Sequence, residues 1–343
     1  MNLRVAAFTG GRDVPSARFR VRQLIPALRY EGIDLREFPA RLGAYPPHQT
    51  LARPLWAIAT LTARIPGIAA SFRYDVTLLQ REFLSTAYTL EGCTKRPRVL
   101  DVDDAIWLYR GGAFARRLAQ QCERVICGNR FLAAQFHEWN PSVTVIPTAV
   151  DTMRFHPASR DGGRERRPII VWMGASGGFA DLALAEQPLA AVLRRHPDAV
   201  IRVVAECPPA LGSLHRSQVE YVPWSPDTEV RAVQEASIGI MPLLDTEWNR
   251  GKCAYKALIY MACGLPVVMS PIGMNQELLE LGECGLGPRS NREWVTVLGD
   301  LLSDPAECTR MGCVGRGVAD DHFSVRMTVP RVAAELRTVA NRR

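Results

Sequence analysis

What this chain lacks narrows it first. None of its nine cysteines stands in a C-x-x-C pair. The close pairs Cys122/Cys127 and Cys308/Cys313 have neither zinc nor redox spacing, and no cluster drawn from the six histidines joins them. Such thiols read as free and mostly buried, in a reducing cytosol. Long apolar runs are missing too. The most lipid-like stretch, residues 51–71, is interrupted by Arg53, Pro54, Arg64 and Pro66, which excludes a spanning helix. Two readings remain for it: a surface helix with a membrane-facing side, or a helix packed on its own domain. The opening "MNLRVAAFTGG" has no signal-peptide apolar region, so a cytoplasmic location is expected, with peripheral contact at the inner membrane surface left open. Basic residues exceed acidic ones, 42 to 35, for a net charge of +7, yet they form no run or stripe. Nucleic acid is therefore not an expected partner, while smaller anions such as nucleotides, or a phospholipid surface, are.

What is present is a globular composition, 47% hydrophobic and 22% charged over 343 residues. That length suggests two domains, since single cores stop growing near ~250 residues. One design occurs twice. "LRVAAFTGGRDVPSARFRVRQLIPAL" (3–28) and "PIIVWMGASGGFADLALAEQPLAAVLRRH" (168–196) each run from an apolar strand through a glycine turn into an amphipathic helix. Neither turn has the full G-x-G-x-x-G pattern, but the repeated arrangement points to two Rossmann-like domains. Further short strands are expected at 74–80, 98–104, 124–129 and 143–147, then at 199–206, 219–224, 238–243 and 265–270, with helices between most of them. The expected fold is α/β: two Rossmann-like domains with parallel sheets, facing across a cleft. The expected boundaries are 1–158 for the first domain and 159–324 for the second. A terminal helix is expected at 325–343. The charged stretch 159–167 is the linker candidate.

Ligands bind beyond the carboxyl ends of strands in such sheets, and three places there could carry chemistry. In "DVDDAIW", Asp101, Asp103 and Asp104 crowd together, which is costly unless a cationic or protic group faces them. They could act as a base, orient a hydroxyl, bind a metal as D-x-D, or cap a helix. In "GGRDVPSARFR", Gly11 opens a turn followed by Arg12, Arg18 and Arg20, which suit an anion site or a solvated basic helix face. In "WNRGKCAYKALIYMACGLPVVMS" (248–270), Lys252 and Lys256 are expected one turn apart on a single helix face, after Asn249 and Arg250. Cations at a helix N-terminus oppose its dipole. A bound anion would offset that conflict, and snorkelling into water is the alternative.

"VTVIPTAVDTMRFHP" (143–157), "VEYVPWSPDTEVRAVQEASIGIMPLL" (219–244) and "ALIYMACGLPVVMSPIGMNQEL" (257–278) resemble, in order, segments of the family-4 glycosyltransferases with the two-domain GT-B fold. There are departures. The family's two glutamates, eight positions apart, align with Gly251 and Ile259. The Arg and Lys that follow its second glycine turn are absent from "GASGGFADLAL", and its first-domain His falls near Asp103. The resemblance implies transfer from a nucleotide-diphosphate sugar to a hydroxyl acceptor, with retention, no metal, and no cofactor beyond the sugar nucleotide as co-substrate. It implies envelope polysaccharide, glycolipid or glycoside products, and a lipid-linked acceptor is compatible with the basic balance. Gly174, Ser176, Val222, Trp224, Asn249, Asn275 and Glu277 would contact nucleotide or sugar. Arg250, Lys252, Lys256, Gly11 and Arg18 would hold the diphosphate, and Asp103 or Asp104 would serve the acceptor hydroxyl. A sugar-nucleotide epimerase of the same fold, a metal-dependent transferase using Asp101 and Asp103, and a non-catalytic nucleotide-sugar-binding subunit are the other readings.

Overall fold

The computed structural model describes residues 2–12, 14–43, 45–47, 49–158 and 167–341, so the expected linker lies outside the described residues except for Arg167. The chain divides into two compact units. The first comprises the described residues of Met1–Ala149, Arg250–Cys253 and Val325–Arg343, and the second those of Val150–Asn249 and Ala254–Ser324.

The first unit holds a six-stranded sheet in the order β2-β1-β3-β4-β5-β6. The strands are β1 (Leu3–Thr9), β2 (Ile33–Pro39), β3 (Val76–Gln80), β4 (Arg98–Val102), β5 (Arg124–Cys127) and β6 (Val143–Val145). All five pairings are parallel. β1, β3 and β4 are buried along nearly their whole length because both sheet faces are covered. β2, "IDLREFP", alternates instead, with Ile33 and Leu35 buried between exposed Asp34 and Arg36. It lies at the sheet edge, and that alternation without a flanking run hid it from the sequence reading. The helix Val325–Ala340 sends Val329, Val332, Ala333, Leu336 and Val339 into the same core as Val5, Val76 and Val99.

The second unit repeats the plan in the order β12-β11-β10-β7-β8-β9. Its strands are β7 (Ile169–Met173), β8 (Val200–Ala205), β9 (Val219–Pro223), β10 (Ile238–Met241), β11 (Val267–Met269) and β12 (Gly285–Leu286). Successive residues of β7 alternate between two cores: Val171 and Met173 on one face, Ile170 and Trp172 on the other. The apolar helix Tyr255–Ala262 covers the first face. Tyr260 packs flat on Gly239, where a β-carbon would lie 2.4 Å from the ring. The fold class is therefore the α/β, doubly parallel architecture expected from the sequence. In each unit the strand order reverses beside the first strand, β1 or β7, so both glycine turns sit at switch points where open α/β sheets take ligands.

Candidate functional site

In the first unit the strand-end aspartates have their cation. Asp101, on β4, accepts from Arg20 Nε at 2.9 Å and Arg20 Nη2 at 2.7 Å, in a buried bidentate pair. Arg20 also donates to the Ile146 carbonyl at 2.8 Å. Burial works against the Arg20 charge, but Asp101 outweighs it and raises the guanidinium pKa. Arg20 is thus neither on a solvated helix face nor turned toward a ligand, contrary to both sequence alternatives; it ties β4 to the end of β6. Asp103 accepts from Arg81 Nε at 2.6 Å, and Asp104 accepts from Arg81 Nη2. Arg81 follows β3 directly and holds a left-handed backbone, φ +62°. This conformation is uncommon outside glycine and turns the residue sharply at the strand end. Neither aspartate caps a helix: the next turn, Ile106–Leu108, has Ala105 at its N-cap and no side-chain cap. Burial raises the Asp104 carboxyl to about 6, against the opposing pull of Arg81 and, more weakly, Lys252.

The stretch that the sequence reads as one helix mouth is divided between the units. The helix begins at Tyr255, after Ala254 in a left-handed conformation. Lys252 therefore lies ahead of the helix, in the first unit, and Lys256 within it, in the second; they do not share a helix face. Fully buried at the end of β5, Asn129 caps the helix Arg130–His137 through Leu132 N at 2.8 Å. Its amide also donates to the carbonyls of Gly251 and Lys252 at 3.1 Å and of Arg250 at 3.4 Å. These three carbonyls are thereby engaged by a side chain just ahead of the first helical turn. Cys253, its thiol pKa pushed well up by burial, donates to the Asp103 carbonyl at 3.3 Å. Gly251 leaves no room for a side chain, since a β-carbon would come 2.8 Å from that of Ala105. Ile259 is buried in the second unit's core. Those are the positions where the resemblance aligns glutamates.

Gly11 is buried with φ +146°, and its carbonyl accepts from Arg22 at 3.4 Å. Arg18 lies over its neighbour Phe19, 4.5 Å from the ring centroid. Of the D-x-D pair, Asp101 gives both oxygens to Arg20, and Asp103 accepts from Arg81 through Oδ1. No group of three His, Cys, Asp or Glu suited to a metal occurs among the described residues.

In the second unit Lys256 reaches back over Trp172, with Nζ 4.6 Å from the ring centroid. The lysine end lies in the glycine turn. A β-carbon on Gly174 would be 2.7 Å from Nζ, and one on Gly178 would be 3.4 Å away. Ser176 gives its amide, at 2.8 Å, and its hydroxyl, at 2.6 Å, to Glu206 at the end of β8. Burial, the largest single influence, pushes Glu206 up, but the hydrogen bonds from Ser176 and the backbone together outweigh it and hold its carboxyl below the ordinary value. Val222 is half-buried on β9. Trp224, 40% exposed, donates its indole N–H to Glu229 at 2.9 Å. Asn249 is buried and donates to Asp181 at 2.7 Å and to the Leu244 carbonyl at 2.9 Å, which makes it a brace for its loop. Asn275 is fully buried, its amide on the Ser270 carbonyl at 3.0 Å, while Glu277 is half-buried on the short helix Met274–Leu279. Sequence reasoning missed Arg81, Asn129 and Glu206. All three stand at the ends of expected strands, which was the available signal.

Residues 167–304, most of which lie in the second unit, match the family described as Glycosyl transferases group 1. A GDP-mannose-dependent alpha-(1-6)-phosphatidylinositol monomannoside mannosyltransferase of Mycolicibacterium smegmatis is 27% identical over 248 residues, 64% of this chain. The match spans 63% of that relative's length. Among solved structures, sucrose-phosphate synthase from Thermosynechococcus elongatus superposes with a TM-score of 0.71 at 15% identity, covering 98% of this chain and 99% of its own. Anabaena HepE in complex with UDP and glucose gives 0.72 at 15% identity, covering 98% of this chain and 100% of its own. The fold is that of the GT-B glycosyltransferases.

Proposed function

We propose that the protein is a glycosyltransferase that moves a sugar from a nucleotide-diphosphate sugar to a hydroxyl acceptor, with retention and without a metal. The observation that carries this reading is the seat of Lys256, an ammonium held in the glycine turn at the end of β7. Its charge stands in for the basic residues missing from the turn itself. In the transfer, the bond from the anomeric carbon to the diphosphate oxygen breaks and one to the acceptor oxygen forms. A cation at the departing diphosphate stabilises the charge that develops there. The nucleotide would lie beside Gly174, Val222 and Trp224. The HepE complex with UDP and the GDP-mannose named for the mycobacterial relative put uridine and guanosine donors first.

The acceptor belongs to the first unit. Asp104, whose carboxyl burial raises to about 6, would take the acceptor's proton, and Arg81 holds it in place. Lys252 favours the ionised form of Asp104. Envelope polysaccharide or glycolipid synthesis is the setting this chemistry suits. One feature favours a second reading, a nucleotide-sugar-binding subunit without turnover: both carboxylates are already paired with Arg81.

The test is a thermal-shift series with UDP, GDP, ADP and their sugars, followed by product analysis with hydroxyl acceptors. A ligand that binds the native state raises the melting temperature. A folded protein that responds to no nucleoside diphosphate would sink both readings; binding without turnover would select the second.

A further inference from the structure

The helix Arg53–Ser71 is built inside out. Its inward face carries Thr60, Arg64 and Ser71, with Ile68 the one large apolar side chain buried among them. Arg64 donates to the Phe38 and Thr9 carbonyls at 2.9 and 2.7 Å, and Ser71 to the Ile68 carbonyl at 2.6 Å. Its outward face carries Leu55, Ile58 and Ile65, continued by Leu51 and Phe72, all between 54% and 96% exposed. Thr62, in the middle of that stripe, turns its hydroxyl back onto the Ile58 carbonyl at 2.8 Å. A helix packed on its own domain and facing water shows the reverse arrangement. The stripe runs the length of a 19-residue helix, about 28 Å.

Charge points to the occupant. No acidic residue occurs from 53 to 71, and exposed Arg53 and Arg73 mark the two ends. Exposed Arg41 adjoins Leu42, whose carbonyl accepts from Trp56 Nε1 of the helix at 3.3 Å. A second copy docked by twofold symmetry along this helix would set arginine ends against arginine ends with no acid on the helix to meet them. Among the described residues no helix is long and apolar enough to cross a membrane. We propose that this face lies on an anionic phospholipid bilayer, its stripe at the acyl boundary and its arginines among the headgroup phosphates. The helix is anchored where the acceptor side of the site begins: Arg64 holds the last carbonyl of β1, immediately before Gly10 and Gly11. Bilayer binding itself does not rest on the transferase reading and needs no donor.

The experiment is sedimentation of the full chain with vesicles of phosphatidylcholine, with and without phosphatidylglycerol. The wild type is expected to pellet with the anionic vesicles and to be released by salt. Ile58→Glu with Ile65→Glu should weaken binding at least about tenfold, and the milder Ile58→Ser with Ile65→Ser should weaken it less. Removing Arg53 and Arg73 should cost roughly fivefold each on anionic vesicles only. These positions are exposed, so circular-dichroism melting should stay unchanged and report intact fold. The proposal is overturned if the wild type pellets with neither vesicle, or if the isoleucine variants bind as well as it does. A wild-type dimer that the isoleucine variants convert to monomer, with no vesicle binding, would overturn it in favour of self-association.

Discussion

Gly174→Ala is the most direct probe of the donor seat. The added β-carbon would lie 2.6 Å from Lys256 Cε, 2.7 Å from Nζ and 2.9 Å from the Trp172 ring. Carbon atoms in good contact sit about 3.5–4.0 Å apart, so something must move. Trp172 is fully buried and closely packed, whereas the lysine end is flexible. The ammonium is therefore driven from the turn. The fold should lose about 1–3 kcal/mol from overpacking, toward the lower figure because the lysine yields. Losing one charge-assisted bond to a diphosphate costs about 1.5–3 kcal/mol, roughly a ten- to hundredfold weaker Kd. Lys256→Met removes the charge without the clash and should weaken binding equally while leaving stability nearly unchanged. The double variant should add little, because both changes remove one interaction. Calorimetric titration with UDP and GDP reads the affinity and urea unfolding reads the stability. If both single variants bind nucleoside diphosphate as the wild type does, Lys256 is not the phosphate ligand and the proposed donor seat is wrong.

Three further expectations follow from the first unit. If Asp104 acts as the base it must be ionised, so kcat/KM should climb as pH rises through about 6 and then level off; Asp104→Asn should abolish that limb, and an unchanged profile would remove it from catalysis. Its folded pKa lies above the ordinary 3.8, so its contribution to stability is fully present below that value and is lost as pH rises through about 6. Arg20→Met strands the buried Asp101 carboxylate and should cost about 3–5 kcal/mol in urea unfolding, much of it recovered in the Arg20→Met/Asp101→Leu pair. A single-variant loss within the noise of the titration would show that the pair does not hold β4 and β6 together.

The parallel sheets were legible because a strand covered on both faces must be an apolar run, and "IIVWM" or "VIRVVA" can hardly be read otherwise. The crowding of Asp101, Asp103 and Asp104 also announced a cation by elementary electrostatics. Its identity was not legible: Arg20 meets Asp101 from 81 positions away, and Arg81 meets Asp103 from 22. The same limit governs Lys252 and Lys256. Helical spacing puts them on one face only if the helix has begun, and it begins only after Ala254, behind carbonyls engaged by Asn129, more than 120 positions earlier. The sequence by itself determined the layered α/β plan and the strand ends where chemistry gathers, because burial period and charge crowding are local properties of the chain. Tertiary structure alone decided which cation serves which carboxylate, that Lys256 lies in the glycine turn over Trp172, and that the helix Arg53–Ser71 turns its apolar side outward. Those depend on side chains that meet only after the sheets have formed.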